Sequence, residues 1–293
     1  MSTVSKIRFQ MTTKLCNQLY FNRYLLNKIS ATRTSWKQLS TKETETQSTV
    51  DRADVARHTK MMYDWWDVKG PMKALHSLNM LRVPFVRDGI VESSPYENTL
   101  KPLMCKKILD VGCGGGILTE SLAKLGAEMT GIDASPDLVE LAQIHGCNNP
   151  NLACNRPVYY CQTIEDHVCQ FPNHYDAVVA SEVIEHVNNK ELFVCACVGA
   201  LKPGGRIFFT TPSRTNLTRV FGIIVAEYVL NVVPKGTHQY DKLMTPNELK
   251  FQLERNGCHV EATFGMFYHI LTNKWQWVNT KQFMFAMQAT KIH

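Results

Sequence analysis

A doubly wound α/β fold is what this 293-residue sequence predicts, a mainly parallel sheet with helices on both faces. Three observations carry the prediction. From Lys107 onward, short apolar runs alternate with helix-like stretches, the rhythm of strands joined by crossover helices. The first apolar run ends in a glycine cluster, Gly112, Gly114, Gly115 and Gly116. The second ends in an acid, Asp133, 23 residues beyond Asp110.

The elements follow from their punctuation. Asp51–Asp67 and Met72–Val86 read as helices broken by Gly70-Pro71, and Asp88–Pro102 reads as loop. Lys107–Val111 is a strand, Ile117–Lys124 a helix closed by Gly126, and Glu128–Ile132 a second strand. Ser135-Pro136 opens a helix, with serine as cap and proline at the first helical position. Val158–Gln162 and Tyr175–Ser181 are strands, Lys190–Leu201 is a helix stopped by Pro203-Gly204-Gly205, and Arg206–Thr211 is a fifth strand. Thr245 and Glu248 have capping-box spacing at the start of a helix that runs to Gly257. His259–Phe267 and Lys281–Ala289 complete the strands.

Composition narrows the class. With 44% hydrophobic and 20% charged residues the chain can build a sizeable core. Its longest apolar run, Val220–Val233, has 14 residues and includes Glu227, short of the ~20 that cross a bilayer. The net charge of +6 is concentrated at the start: residues 1–42 carry eight Lys and Arg and no acid. The remainder holds 24 basic against 26 acidic residues, a net −2, which argues against nucleic acid as a partner. The basic, acid-free opening, with scattered Leu, Phe and Ser/Thr, reads as a mitochondrial transit peptide over residues 1–45. Ten cysteines lie scattered without a CxxC pair, as in a reduced compartment rather than a disulfide scaffold.

The stretch Asp110-Val111-Gly112-Cys113-Gly114-Gly115-Gly116-Ile117 is the most informative. Closely spaced glycines between strand and helix let a ligand approach the backbone, and the helix start offers free N–H groups. A dinucleotide fold puts a third glycine where Ile117 stands. Asp110 suits a cationic ligand group better than a pyrophosphate. An acid at Asp133's place accepts hydrogen bonds from ribose hydroxyls; a nicotinamide and an adenosyl cofactor both offer them.

Asp110 to Gly116 resembles motif I of the class I S-adenosylmethionine-dependent methyltransferases, and Leu201-Lys202-Pro203-Gly204-Gly205 resembles the turn before their fifth strand. Trp65-Trp66-Asp67, Leu81-Arg82, Glu182 to Val187 and Val233 to His238 resemble the ubiquinone-biosynthesis O-methyltransferases, a likeness running from about residue 55 to the C-terminus. The resemblance implies a Rossmann-like fold with a seven-stranded sheet, a helical cap over residues 46–102 and a methyltransferase domain over 103–293, with a lid inserted at about 214–245. It implies S-adenosylmethionine as donor, with Gly112 and Gly114 beneath it, Asp133 on its ribose, Arg82 on its carboxylate, Asp110 on its amino group and Ser181 lining the site through its backbone. Glu165 is expected near the adenine.

The implied acceptor is a ring hydroxyl of a polyprenylated catechol or quinol. A phenol of this kind titrates near ~10, so something must take its proton or bind its anion. If a helical turn follows the fourth strand, Glu182, Glu185 and His186 share one face. They could hold Mg2+ or another divalent ion, His186 could act as base without metal, or the turn could simply cap a helix. In Asn216–Met244, Phe221, Ile224, Val225, Tyr228 and Val232 recur at helical spacing, as in a core helix or in a lid lying on a membrane. Peripheral association with the matrix face of the inner membrane, and with other coenzyme Q biosynthesis proteins in a complex, follows from the family. Trp65 and Trp66 could cover the acceptor or sit in the core. A methyltransferase for another small molecule or protein, and a non-catalytic scaffold, are the rival readings; a nicotinamide oxidoreductase is disfavoured by Ile117 and Asp110.

Overall fold

The computed structural model describes residues 49–51, 55–56, 59, 62–91, 96–215, 217–218 and 240–292. The leader, most of the 216–244 segment with its helical apolar spacing, the Val233–His238 motif and part of the stretch Asp51–Asp67 expected as helix lie outside the described residues; at the described end of that stretch Met62–Asp64 forms a 3₁₀ turn instead.

Among the described residues eight strands form one sheet: β1 Lys107–Val111, β2 Glu128–Asp133, β3 Val158–Cys161, β4 Tyr175–Ser181, β5 Leu201–Pro212, β6 Cys258–His269, β7 Lys274–Val278 and β8 Met284–Lys291. Their order is β3-β2-β1-β4-β5-β8-β6-β7. The first five in that order pair in parallel, and β8 lies antiparallel between β5 and β6. Among the described residues six helices of two or more turns accompany them: α1 Lys73–Val91, α2 Ile117–Lys124, α3 Pro136–Asn148, α4 Ile164–Gln170, α5 Lys190–Ala200 and α6 Pro246–Arg255.

The central strands are apolar on both faces because both are covered. Successive residues of a strand point to opposite faces, and the core divides accordingly. Leu109, Val111, Val178, Ala180 and Phe209 pack with Phe193 and Cys197 of α5 and Leu249 of α6. Ile108, Ala177, Val179 and Phe208 pack with Leu78 and Phe85 of α1 and Leu118 and Leu122 of α2.

Most boundaries match the sequence expectation, and the departures have local causes. The first helix continues past Val86 through Gly89 to Val91, where a loop was expected from Asp88. The fifth strand starts at Leu201, which pairs with Tyr175, and a register shift absorbs Pro203-Gly204-Gly205 before Arg206 pairs with Ala177. Gly204, at φ 75°, takes the left-handed turn this requires. The sheet has one strand beyond the seven expected: β7 pairs with the end of β6 as a hairpin, and Trp275 Nε1 donates to the Ala74 carbonyl of α1 at 2.9 Å. Helix α4 was not expected either; Thr163 caps it, accepting from Asp166 N at 3.2 Å.

Candidate functional site

The strand order reverses beside β1, whose neighbours are β2 and β4. In such sheets ligands bind in the crevice at the carboxyl ends of the strands flanking that point. There the chain places Val111 and the glycine turn, Asp133, Ser181 and Pro212.

The turn is fixed by Gly112 N and Cys113 N, which donate to the Ile132 carbonyl at 2.8 and 3.0 Å. Gly112 has φ 69°, and a Cβ there would lie 2.4 Å from Val183 Cγ2. Both oxygens of the Asp133 carboxylate accept backbone N–H groups: Gly114 N at 2.9 Å and Ser135 N at 2.8 Å. The acid thus locks the turn to the start of α3. Beside it opens a cavity of about 290 Å³ lined by Val50, Ala134, Cys161, Gln162 and Thr163 among others.

The two tryptophans cover the glycine turn. A Cβ on Gly114 or Gly115 would fall 2.5 Å from the Trp65 ring, which is buried with Met72, Ile117 and Leu138. Trp66 Nε1 donates to the Gly115 carbonyl at 3.1 Å. Its ring stacks on His145 with centroids 3.5 Å apart, and His145 Nδ1 meets the wholly buried Glu120 carboxylate at 2.7 Å. Trp65 is buried, whereas Trp66 is half-buried against the same cluster.

Arg82, in the middle of α1, is 4% exposed. Its three hydrogen bonds end on neutral oxygens: Asn79 Oδ1 at 2.5 Å, Ser181 Oγ at 3.0 Å and the Leu75 carbonyl at 3.4 Å. Burial pulls its pKa down to about 10, opposed by the charges of Asp110 and Glu182. The guanidinium is therefore charged at neutral pH and, among the described residues, lacks a hydrogen-bonded counter-ion. Asp110 is also buried and accepts from Thr119 Oγ1 at 2.5 Å. Burial raises its pKa to about 6, against the Thr119 hydrogen bond and the Arg82 charge. The Ser181 hydroxyl bonds Arg82 and also Thr210 Oγ1 at 2.6 Å.

The structure thus brings Arg82, Asp110, Gly112, Gly114, Asp133 and Ser181 to one crevice. Thr119, Asn79 and Thr210, which hold them, went unnoticed in the sequence; only their proximity in the fold identifies them. Glu165 lies on α4 next to the cavity and accepts from Thr49 Oγ1 at 2.8 Å.

Past β4 the expected shared face does not form. Glu182 has φ 60°, its N–H donating to the Thr210 carbonyl at 2.9 Å, and only Ile184–His186 makes a turn, of the tighter 3₁₀ kind. The i, i+3, i+4 geometry requires α-helix through all five residues. Among the described residues no three His, Cys, Asp or Glu side chains are gathered to hold a metal ion. Glu185 is 4% exposed and accepts from Thr211 Oγ1 at 3.0 Å through Oε2. Its Oε1 is buried without a hydrogen-bond partner among the described residues. Burial, and then the Glu182 charge, push its carboxyl well above the usual range.

A methyltransferase-domain model matches residues 109–209, β1 into β5. Among solved structures, the magnesium protoporphyrin IX methyltransferase of Synechocystis PCC 6803 with bound SAM aligns with a TM-score of 0.55 at 17% identity, covering 84% of this chain and all of that one. A SAM-dependent methyltransferase of Methanosarcina mazei aligns with a TM-score of 0.51 at 16% identity, covering 64% of this chain and 92% of that one. These share the fold. The mitochondrial ubiquinone biosynthesis O-methyltransferase of Rattus norvegicus is 41% identical over 91% of this chain and 76% of its own length. Its Homo sapiens counterpart is 41% identical over 91% and 71%, and the Proteus mirabilis enzyme 35% identical over 81% and 91%. The chain belongs to the ubiquinone biosynthesis O-methyltransferase family.

Proposed function

We propose that this O-methyltransferase moves the methyl group of S-adenosylmethionine onto a ring hydroxyl of a polyprenylated dihydroxybenzoate or demethylubiquinol. The observation that carries the donor assignment is Arg82, a buried cation whose hydrogen bonds end on neutral oxygens. A buried charge calls for a partner of opposite sign, and the donor's carboxylate provides one that a guanidinium can hold in two parallel bonds. Asp110 is the acid on the same crevice and suits the donor's amino group. Asp133 offers its remaining acceptor capacity to the ribose, and the 290 Å³ cavity beyond it leaves room for the base.

Transfer is an in-line displacement at the sulfonium methyl, so holding donor and acceptor in line supplies much of the rate. The acceptor must also lose its proton. Glu182, Glu185 and His186 leave β4 at the same edge of the sheet. Glu185, pushed above the usual carboxylate range by burial and by Glu182, can take a proton at a pH where an exposed carboxylate cannot. His186, next to it in the same turn, is the alternative acceptor of that proton.

Glu182 and Glu185 offer the oxygen donors that a magnesium ion prefers, but the loop as folded does not gather them with His186, so an ion would have to draw the three together. Glu182 and Glu185 would hold it, with His186 as the less usual third ligand. Bound there, it would supply positive charge that favours the acceptor's anionic form.

The relatives are mitochondrial in mammals, and the basic, acid-free leader of residues 1–42 supports the same address here. No helix among the described residues is long and apolar enough to cross a membrane. A polyprenyl tail resides in the bilayer, so we place the enzyme peripherally on the matrix face of the inner membrane, beside other proteins of the pathway.

Mass spectrometry of quinone intermediates in cells lacking this chain tests the reading. An unmethylated dihydroxy precursor should accumulate; an unchanged intermediate pool would refute it. In the purified enzyme, Glu185→Ala and His186→Ala should stop methylation while donor still binds, and undiminished turnover in excess chelator would remove the metal from the scheme.

A further inference from the structure

The residues leading into the cap lie across the loop that follows β4. Thr49 is polar, yet only 1% exposed. Its carbonyl accepts from Asn188 N at 2.8 Å, and Val50 makes an antiparallel bridge with Val187, the residue after His186. Thr49 Oγ1 also donates to Glu165 Oε1 on α4 at 2.8 Å. Asp51 is ion-paired with Lys242, both 19% exposed, at the end of the short turn that precedes α6. On its other side, Val50 walls the cavity beside Asp133.

We infer that Thr49–Asp51 is a positioning strap for the reaction: by fastening residues 187–188 to α4 and to Lys242, it holds the Glu182–His186 loop where it can act on the acceptor. This rests on the reading that the loop performs the acceptor chemistry. The loop needs such support. Glu182 sits at φ 60°, a conformation that a residue with a side chain keeps only when its surroundings over-determine it. Thr210 and Thr211 hold the loop from β5, and Lys190 Nζ holds the Val187 carbonyl from α5 at 3.2 Å. The strap adds a further hold, from residues more than a hundred positions earlier in the chain. A displacement of ~1 Å at a reacting group can cost ~100-fold in rate, so loosening the strap should act mainly on turnover: the donor's carboxylate and ribose contacts lie on α1, β1 and β2, and Val50, which bounds the room for its base, stays in place in every variant tested.

The test uses the full chain with Asp51→Asn, Lys242→Met, the reversed pair Asp51→Lys with Lys242→Asp, Thr49→Val and Thr49→Ser. Turnover at saturating donor, donor affinity by calorimetry and thermal unfolding are measured on each. Asp51→Asn, Lys242→Met and Thr49→Val should each lower kcat about 10-fold with donor Kd within about 3-fold of the parent. The reversed pair and Thr49→Ser should recover most of that loss, which lowered stability alone would not produce. Unchanged kcat in all of them, or losses confined to donor affinity or to melting temperature, overturns the strap. Glu185→Ala and His186→Ala run alongside: if they turn over normally the loop reading has failed, and if they are inactive while the strap variants turn over normally only the strap has.

Discussion

Arg82 Nη1 donates to the hydroxyl of Ser181 at 3.0 Å, and that hydroxyl also bonds Thr210 Oγ1 at 2.6 Å. One hydrogen-bonded chain therefore ties α1 to the carboxyl ends of β4 and β5, which fixes where the guanidinium points. The contact orients a charge without neutralising it.

Replacing Arg82 separates those two roles. Arg82→Met removes a buried cation that lacks a hydrogen-bonded counter-ion, so folding stability should hold or rise. Donor affinity should fall about 100-fold, the scale of a lost charge-assisted pair. Arg82→Lys keeps the charge but not the fork and should fall between. Calorimetric titration with S-adenosylmethionine, paired with urea unfolding, checks both; equal affinity in Arg82→Met would remove the arginine from the donor site.

Asp110 should show the same trade-off with opposite charge. Its folded-state pKa of about 6 lies above its ordinary 3.8, so the folded chain holds that proton more tightly than the unfolded one. Stability from this group therefore declines as pH rises from about 4 to 6, and at pH 7 the ionised carboxylate is a net cost. Asp110→Asn should stabilise the ligand-free enzyme by about 1–2 kcal/mol; loss of a favourable neighbour for Arg82 keeps the gain small. The same variant should bind the donor more weakly, and parent affinity should drop below pH ~6 while the variant's does not. Unfolding and binding measured from pH 5 to 8 decide it.

The parts of this architecture legible in the sequence were those set by neighbours along the chain. β1 and β4 are central, apolar on both faces, and announce themselves as short unbroken runs. Ser135-Pro136 and the Thr245/Glu248 capping box fix helix starts within four residues. α4 was missed because seven residues span two turns, too few for a period, and its His167 is held from β4. The glycines were legible as a turn but not their reasons, since Val183, Trp65 and Tyr159 reach them from distant segments. The shared carboxylate face failed because the Thr210 carbonyl, a tertiary partner, sets the backbone at Glu182.

His167 should make stability fall in mild acid. It is fully buried, with Nε2 2.7 Å from Tyr175 Oη and Nδ1 against the Gln162 amide. Burial, and secondarily the nearby His174, lowers its pKa to about 4 from 6.5. The unfolded chain is then the better proton binder between those values. The stabilisation is complete above pH 6.5 and drains away as pH falls toward 4, by about 2–3 kcal/mol. Urea unfolding across that range should show the slope, and His167→Gln should flatten it; an unchanged slope would place the titration elsewhere.

Gly115 and Gly114 are adjacent but should respond differently to a methyl group. At Gly114 the backbone is left-handed, φ 52°, so alanine is strained whatever surrounds it. Gly115 is not in that region, and its obstacle is Trp65, whose Cδ1 and Nε1 lie 2.5 and 2.7 Å from where a Cβ would stand. Gly115→Ala alone should destabilise by about 1–3 kcal/mol, the range for forcing an extra carbon into a packed site. In a Trp65→Leu background the same change should cost under about 0.5 kcal/mol, whereas Gly114→Ala should remain costly in both. Denaturant unfolding of the single and double variants gives the coupling directly. Additive Gly115 and Trp65 effects would mean that the tryptophan does not dictate glycine at 115.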